Sequence, residues 1–530
     1  MADTYQIDFE PLGRRGTARA GTTLLAAAQA AGVQLASVCG GIGTCEECRV
    51  RLVTGSLTPL SFVEEAVFTK AELAAGYRLA CQAGPLSDVK LDIPPESLTT
   101  AQRLQVEGQE VTVTPHPAVS VPGACGLAVD IGTTKLAAYL VRLETGETVS
   151  RAGAMNPQVA YGEDVISRIA YAGREAGGGR TLQKVLVDSL NRMLTEMCAE
   201  AHVPAGLVLD AVLVGNTAMH HLFAGLPVEQ LGHAPFAPAT TEPLTLPAAR
   251  LGLNLAEGAR VYLPPVIAGY VGADHLAMLL ATGVWKSPGR VIALDIGTNT
   301  EISLVAGGKV TCCSCASGPA FEGAHIREGM RAAPGAVERA RWHEGAIQVQ
   351  TIENRPAVGI CGSGILDVVA SLLDGGQVRA TGVMTSGPQF VLVPAGKTGL
   401  GRDLVVTRKD IHEIQLAKGA IRAGVEVLLE QAGLAYGDLD AFIVAGAFGT
   451  YLDLHSAVQV GMFPPLPQER FGQVGNAAGM GAKLMLVSVD QRRQAEELAR
   501  KLGYVELTGQ ASFTPLFMKY LSFDGDAKNL

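Results

Sequence analysis

Four cysteines near the start of the chain constrain its fold more than any other feature. Five residues separate the first two, two separate the next two, and the last follows after a further 32: Cys39, Cys45, Cys48 and Cys81. The first gap holds Gly40, Gly41 and Gly43, and glycine lets a backbone curl closely around an anion. A zinc site would instead show two close cysteine pairs, or one pair followed by histidines, and neither pattern occurs here. The spacing therefore predicts an iron-sulfur cluster held by the four thiolates.

The sequence around the cysteines predicts a small domain rich in β-structure. Residues 5–9 and 49–53 alternate between apolar and polar side chains, which predicts half-buried strands. Residues 22–31 are rich in alanine and predict a helix, and residues 89–93 alternate again before a pair of prolines. In element order and cysteine motif, residues 1–95 resemble a β-grasp ferredoxin of the adrenodoxin and putidaredoxin branch. That resemblance implies a 2Fe-2S cluster that carries one electron.

Composition and charge bound the rest of the chain. Its 530 residues suggest three or four domains, and 48% hydrophobic with 18% charged residues is typical of soluble proteins. A net charge of −9 without a basic stripe argues against binding of nucleic acid. The first residues are polar, and no apolar run approaches the ~18 residues needed to cross a bilayer, so no membrane partner is expected. Four cysteines needed as thiolates favour a reducing compartment, and we expect the protein in the cytoplasm.

Two nearly identical segments 165 residues apart predict a duplicated unit. Residues 128–134 read AVDIGTT and residues 293–299 read ALDIGTN, and each follows an apolar run. A tight turn at glycine allows the N–H groups that follow it to point at an anion. We expect the two turns to face a shared cleft and to bind the phosphates of a nucleotide, with these residues in contact: Gly132, Thr133, Thr134, Gly297, Thr298 and Asn299.

The aspartate of each copy stands at the end of its predicted strand. Asp130 and Asp295 are the candidate catalytic residues, because carboxylates there can hold a hydrated Mg²⁺ ion that bridges the phosphates. One of them can also orient the attacking water. Phosphoryl transfer depends mainly on positioning and charge stabilisation, so these residue types suffice for it.

A third element completes the nucleotide pattern. Residues 442–449 read FIVAGAFG, an apolar strand that turns through small residues where a flat purine can approach the backbone. Together with the two turns, this segment resembles the adenosine segment of acetate and sugar kinases, heat-shock chaperones and actin. The resemblance implies a two-lobed ATPase in which Gly446, Ala447 and Gly449 line the adenosine site and Lys418 reaches the ribose or base.

Five segments carry a closer resemblance: the cysteine motif and residues 215–221, 317–323, 359–367 and 475–482. Together they resemble one family, the reductive activators of corrinoid-dependent methyltransferases and corrinoid proteins. Members take an electron from a low-potential donor (a ferredoxin, a flavodoxin or a reductase) and, with ATP, reduce an inactive Co(II) corrinoid to Co(I). The resemblance implies an enzyme with a 2Fe-2S cluster, ATP and Mg²⁺ as cofactors and a corrinoid protein or corrinoid-dependent methyltransferase as partner.

The predicted architecture is a multidomain chain of α/β and α+β type. A β-grasp 2Fe-2S ferredoxin domain covers residues 1–95 and a linker rich in helix breakers covers 96–124. A first lobe of an actin-like ATPase covers 125–285, and a second lobe with the adenosine segment covers 286–530. A flexible tether of about 25 residues spans very roughly 25 to 30 Å, so the ferredoxin domain is expected to swing.

Three other functions fit parts of this pattern. Activators of 2-hydroxyacyl-CoA dehydratases also couple this ATPase fold to electron injection, but they bridge a 4Fe-4S cluster across a dimer with cysteines inside the ATPase. A chaperone-like ATPase that strips damaged cobalamin from an enzyme would use the cluster only as a sensor. A sugar kinase fused to a ferredoxin would need clustered Asp, Asn and Trp, and the chain has only two Trp.

Several histidines and cysteines permit two interpretations. His220 and His221 could face a partner's cobalt, but a histidine pair that follows Gly-Asn-Thr favours packing inside the fold. The cysteine trio Cys312, Cys313 and Cys315 lacks an evident fourth ligand, which favours small buried strand residues over a second metal site.

Two more features are ambiguous by sequence. A magnesium or water contact by Asp164 is as plausible as a helix cap by Glu163 or Asp164, since carboxylates favour helix N-termini. Gly396 to Thr398 look like the end of a P-loop, but Val391 stands where that loop requires glycine, so a P-loop is excluded.

Overall fold

The computed structural model describes residues 4–10, 14–31, 33, 35, 48–94, 97, 113–446, 448 and 452–525. Within these ranges the chain forms an N-terminal five-stranded sheet, two six-stranded sheets and two smaller sheets. No helix in these ranges is long and apolar enough to cross a membrane.

The N-terminal domain is built on a mixed sheet in the order β2-β1-β5-β3-β4, and the predicted β-grasp fold is confirmed. Strands β1 and β5 run parallel, while the other neighbours are antiparallel. The alternation seen in the sequence directs Ile7, Phe9, Val89 and Leu91 into one core. Its elements are β1 (Thr4–Glu10), β2 (Arg14–Arg19), α1 (Leu24–Ala30), β3 (Arg49–Thr54), α2 (Phe62–Val67), α3 (Lys70–Ala74), β4 (Tyr77–Leu79) and β5 (Val89–Asp92).

The first lobe is a six-stranded sheet in the order β10-β11-β9-β6-β7-β8, with helices packed against it. Strands β6, β7 and β8 form an antiparallel meander, and β9 adds to β6 in parallel. Its elements are β6 (Cys125–Ile131), β7 (Lys135–Arg142), β8 (Thr148–Met155), α4 (Val165–Arg174), α5 (Gly178–Glu200), β9 (Val208–Gly215), α6 (Thr217–Ala224), β10 (Leu244–Pro247), α7 (Ala248–Leu251), β11 (Arg260–Leu263) and α8 (Ala273–Thr282).

The second lobe repeats this plan around a sheet in the order β21-β20-β12-β13-β14-β22, and smaller sheets pair β15 with β16 and β17, and β18 with β19. Strands β12, β13 and β14 form the meander, and β20 adds to β12 in parallel, as β9 does to β6. The predicted duplication is therefore visible in the topology.

The strands of the second lobe are β12 (Val291–Ile296), β13 (Thr300–Ala306), β14 (Lys309–Cys315), β15 (Ala336–His343), β16 (Ala346–Thr351), β17 (Gly359–Ile360), β18 (Gln389–Val393), β19 (Leu404–Thr407), β20 (Ala441–Ala445), β21 (Phe471–Gly475) and β22 (Gly503–Tyr504). The helices are α9 (Gly362–Asp374), α10 (Arg408–Ala432), α11 (Leu454–Gln459), α12 (Ala477–Val487), α13 (Val489–Lys501) and α14 (Phe513–Leu521).

Helices α8 and α12 join the two lobes. They pack closely because Gly481 lies against the backbone of Ala277, where an added Cβ would stand 2.1 Å from the Ala277 carbonyl oxygen. Residues of both helices and of both large sheets share one apolar core. The described end of the predicted linker also binds here, since the backbone of His116 exchanges hydrogen bonds with Val487 and Val489, each 2.8 Å long. Residues 98–112 lie outside the described part of the chain.

Candidate nucleotide cleft and iron-sulfur centre

The turns that follow β6 and β12 meet at one point between the two lobes. The hydroxyl oxygens of Thr134 and Thr298 stand 3.4 Å apart. Gly132 permits the first bend, because a Cβ there would lie 2.6 Å from the carbonyl oxygen of Lys135. The structure thus brings the two predicted phosphate-binding turns together, as the repeat predicts.

Three side chains of the first lobe hold the first turn in place. Asn216 donates its side-chain amide to the Thr133 hydroxyl at 2.8 Å, and Asn156 donates to the Gly132 carbonyl at 2.9 Å. Arg168 is fully buried and donates to the Thr133 carbonyl. A buried network of this kind fixes the turn before any ligand arrives.

The second turn is supported by the segment 317–323. Ser317 donates to the carbonyl of Thr298 at 3.3 Å and bonds the hydroxyl of Thr300 at 2.9 Å. The Thr298 hydroxyl donates to the carboxylate of Glu322. Glu322 was not among the predicted site residues, although it lies in a motif that carries the family resemblance.

Four carboxylates gather where the strands end. Asp130 and Asp295 come from β6 and β12, Asp274 comes from the first turn of α8, and Glu301 lies on β13 opposite Asp295. Burial, with the charges of Asp274 and Asp295, raises the pKa of Asp130 well above its usual value. Burial raises the pKa of Asp295 to about 6, and burial together with Asp295 raises that of Asp274 to about 7. Burial and the same two aspartates also raise the pKa of Glu301.

The four carboxylates are more stable around a bound cation than as four uncompensated negative charges. Carboxylates that repel one another are relieved by a divalent ion, and Mg²⁺ prefers to keep much of its water. Among the described residues, no three acidic, histidine or cysteine side chains are placed to ligate a metal directly. Carboxylate oxygens are donors that Mg²⁺ accepts, so the chemistry of these side chains fits such an ion.

Asp274 and Glu301 were not predicted from the sequence. The repeat that revealed Asp130 and Asp295 gives no signal for them, since the first copy has Leu136 where the second has Glu301. Asp274 joins the other carboxylates because α8 packs where the two lobes meet, and no repeat in the sequence records that packing.

The predicted adenosine segment turns at the edge of the same cleft. Strand β20 ends at Ala445 and is followed by Gly446, whose φ of +93° favours glycine. A Cβ at Gly446 would lie 2.6 Å from the Ile296 carbonyl oxygen and 2.8 Å from a carboxylate oxygen of Asp295. Ala447 and Gly449 lie outside the described residues. From the motif at 475–482, Asn476 caps α12 and hydrogen-bonds Asp130.

Lys418 on α10 contacts the C-terminal segment of the chain. Its side chain is fully buried, and its ammonium donates to the carbonyl of Ser522 and stands 5.2 Å from the ring centre of Phe523. These contacts tie α10 to the C-terminal segment. A carbonyl and an aromatic face stabilise the buried ammonium, and the contact of Lys418 with the ribose or base stays a prediction.

Two of the four predicted cluster ligands lie among the described residues. Cys48 and Cys81 are buried, and the N–H of Ala80 donates to the Cys48 carbonyl at 2.9 Å, which brings the two cysteines together. The side-chain amide of Gln82 donates to the Cys81 sulfur at 3.6 Å, the kind of contact that stabilises a thiolate ligand. Cys39 and Cys45 lie outside the described residues. The described pair fits a cluster site.

The ambiguous residues receive structural roles. His220 and His221 are buried, their Nδ1 atoms stand 3.2 Å apart, and burial lowers their pKa values to about 3 and about 4. Asp164 caps α4 through a 2.7 Å bond from the Ser167 N–H. The cysteine trio lies buried on β14, as the sequence favours.

The fold and the two sites define a class: an iron-sulfur domain of ferredoxin type joined to an ATPase of the actin-like superfamily. Three family models match the chain. The 2Fe-2S iron-sulfur cluster binding domain matches residues 9–86, the RACo middle region matches 125–287, and the C-terminal domain of RACo, the ASKHA domain, matches 290–529.

Relatives that match along most of the chain identify the family. A corrinoid activation enzyme, RamQ, from Eubacterium limosum is 33% identical over 417 residues, which cover 75% of this chain and 70% of that protein. The [Co(II) methylated amine-specific corrinoid protein] reductase of Methanosarcina barkeri is 26% identical over 431 residues, covering 75% and 77%. The solved structure of a reductive activator for corrinoid, iron-sulfur protein covers 98% of both chains with 30% identity and a TM-score of 0.70. The chain belongs to this family of reductive activators of corrinoid proteins.

Proposed function

We propose that this enzyme carries out ATP-dependent reductive activation of a corrinoid protein, in which one electron converts Co(II) of the partner's corrinoid to Co(I). The observation that carries the proposal is the meeting of the two Asp-Ile-Gly-Thr turns in a chain that also bears a ferredoxin-type domain. Relatives that match most of its length are named as a corrinoid activation enzyme and a corrinoid protein reductase.

Nucleotide binding is assigned to the cleft. The turns at Gly132–Thr134 and Gly297–Asn299 supply N–H and hydroxyl donors to the phosphates. Asp130 and Asp295 hold hydrated Mg²⁺, with Asp274 and Glu301 adding negative charge around it. Gly446, together with Ala447 and Gly449, lines the adenosine side. Residues 125–285 are assigned to the first ATPase lobe and residues 286–530 to the second.

Electron transfer is assigned to the N-terminal domain, residues 1–95. A 2Fe-2S cluster held by Cys39, Cys45, Cys48 and Cys81 supplies one-electron transfer when bound. The donor is a low-potential ferredoxin, flavodoxin or reductase. Buried cysteines in both ATPase lobes favour the reducing cytoplasm as its compartment.

The need for ATP follows from the energetics of cobalt reduction. Reduction of Co(II) to Co(I) is uphill from most biological donors, and a one-electron couple moves by about 59 mV for each tenfold change in equilibrium constant. A conformational change worth about 4 kcal/mol therefore shifts an effective potential by about 180 mV. Closure of a nucleotide cleft between two lobes is a change of suitable scale.

The test is ATP hydrolysis measured with and without a purified corrinoid protein. We expect stimulation by the corrinoid protein and none by sugars. Asp295→Asn is expected to lower the hydrolysis rate at least about 100-fold, because it removes the charge that positions the metal. Its thermal stability should not fall, since the substitution relieves repulsion among the buried carboxylates. Asp188→Asn, an exposed aspartate on α5, is the matched control.

Stimulation by a sugar in place of the corrinoid protein would contradict the proposal. So would an unchanged hydrolysis rate in Asp295→Asn.

A further inference from the structure

The N-terminal domain is seated against the first lobe by ion pairs. Arg15 on β2 lies 3.2 Å from the carboxylate of Glu163, and Lys90 on β5 lies 4.0 Å from the same carboxylate. Arg51 on β3 donates to the hydroxyl of Tyr161 at 3.1 Å. Both acceptors lie in the short segment between β8 and α4.

The same domain also binds the second lobe. Arg14 is only 7% exposed, and its guanidinium donates to the carbonyl of Val358 at 2.8 Å and to that of Gly329 at 3.3 Å. An added Cβ on Gly359 would lie 2.6 Å from this guanidinium, so the fit is close. The N-terminal domain therefore spans both lobes.

Glu163 joins all three parts of the molecule. Besides Arg15 and Lys90 of the N-terminal domain, it pairs with His325 of the second lobe at 3.5 Å. The His325 hydrogen bond and the two cations lower the pKa of Glu163 to about 2. The carboxylate is thus charged in all ordinary buffers, and its contacts depend on the spacing of the lobes.

A cavity of about 450 Å³ lies between the docked domain and the lobes. Its wall includes Thr134 and Glu322 of the nucleotide cleft and Glu10 of β1. Glu10 is 4% exposed and has a carboxylate oxygen without a hydrogen-bond partner, and two guanidinium nitrogens of Arg331 in the same wall also lack one. The charges of Glu10 and Arg331 act on each other, and the ion pairs described do not include one between them.

We propose that phosphate bound at the two turns competes with Glu10 for Arg331, so that nucleotide releases the N-terminal domain from its seat across the cleft. Phosphate at the Thr134 side attracts Arg331 and repels the Glu10 carboxylate, and both effects weaken docking. Movement of the lobes also disturbs the contacts of Arg14 and Glu163, which require one spacing. By linkage, docking lowers nucleotide affinity by the same factor.

This inference rests on the proposed binding of nucleotide in the cleft. ATP then has a specific role, because its binding frees the electron-carrying domain to reach a partner. Arg331 is a positioning residue in this scheme, since it acts on the docking of another domain.

The test is hydrogen exchange of the full, cluster-loaded chain with Mg²⁺, with and without the β,γ-imido analogue of ATP, while calorimetry measures binding of the analogue. We expect the analogue to speed amide exchange about fivefold in residues 14–19, 158–163 and 323–331. In Glu10→Gln the analogue should bind but change exchange in these segments by less than about twofold. In Glu163→Gln these segments should exchange faster even without the analogue, and Glu175→Gln, an exposed carboxylate just after α4, should behave as wild type.

The outcomes separate the two proposals. If the analogue binds and exchange in wild type does not change, release by nucleotide is wrong while nucleotide binding stands. If Glu10→Gln responds to the analogue as wild type does, Glu10 is not the competitor and the inference fails. If the analogue does not bind at all, both proposals fall.

Discussion

Docking of the N-terminal domain on the lobes depends on the protonation state of one residue, Glu10. Its carboxyl is buried at the junction of the N-terminal domain and the lobes, and burial raises its pKa to about 7. The charges that face it are Arg331 and Lys90, which favour the ionised form, and Glu163 and Asp8, which oppose it. A carboxyl whose pKa is raised in the docked state stabilises docking while it is protonated.

Docking is therefore expected to weaken as pH rises. The contribution of Glu10 is complete below its ordinary pKa of 4.5 and is lost as pH passes through about 7. His325 adds an effect of the same sign. Its hydrogen bond to Glu163 and the charges of Glu163 and Glu413 raise its pKa, while burial and the charge of Arg15 oppose this rise. Hydrogen exchange of residues 14–19, measured between about pH 6 and about pH 8 and corrected for intrinsic rates, should show less protection at the higher pH.

Glu10→Gln isolates the carboxyl in this pH experiment. It should remove most of the pH dependence and stabilise docking at about pH 8 by on the order of 2 kcal/mol, since no charge is buried. Protection that rises with pH in wild type would contradict this account of Glu10.

The central site residues were located unevenly by sequence. Asp130 and Asp295 were found because a repeated motif marks them at the ends of two strands. Glu301 and Asp274 were not found, because their proximity depends on strand register and on the approach of α8. Lys418 was assigned by resemblance alone, since sequence cannot show that its ammonium contacts the C-terminal segment.

At the scale of elements, local patterns predicted most of what formed. Alternating polarity located β1, β3 and β5, and Thr23 caps α1 just where the predicted helix begins. The internal repeat predicted that β6 and β12 occupy equivalent places. The small sheets β15–β17 and β18–β19 were not predicted, because their strands carry no comparable repeat.

The turn after β20 gives an element-scale prediction. Gly446→Ala places a methyl group against the Ile296 carbonyl and Asp295 at a φ that alanine tolerates poorly. We expect nucleotide affinity to fall about tenfold or more and stability to fall by about 1–3 kcal/mol, measured by calorimetry and thermal unfolding. Gly396→Ala is the matched control, since it has open space around it and lies in the excluded P-loop segment.

Equal nucleotide affinities in the two glycine variants would contradict the placement of the adenosine site beside Gly446.

At the scale of the whole molecule, the position of the N-terminal domain across both lobes could not be predicted from the sequence. The linker predicts a swinging domain, whereas the structure places that domain across both lobes. The contacts that hold it join residues far apart in the chain, such as Arg14 and Val358, which are 344 positions apart. No local pattern records such pairs, because each partner alone is an ordinary surface residue or a backbone carbonyl.

A swinging domain and a docked domain both fit one scheme, in which the N-terminal domain docks on the lobes and is released from them. Electron delivery would then require nucleotide in the cleft as well as a cluster in the N-terminal domain. A chaperone that merely strips cobalamin would not need the cluster, so Cys45→Ser separates the two activities, with Cys198→Ser on α5 as the control.

The central claim is most directly tested by the optical spectrum of a corrinoid protein during reduction. The cluster-loaded enzyme and a low-potential donor are mixed with the Co(II) corrinoid protein, with or without MgATP, and formation of Co(I) is followed. We expect rapid Co(I) formation only with MgATP and with the native cysteines, and none with Cys45→Ser. Equal Co(I) formation with and without nucleotide would contradict the account.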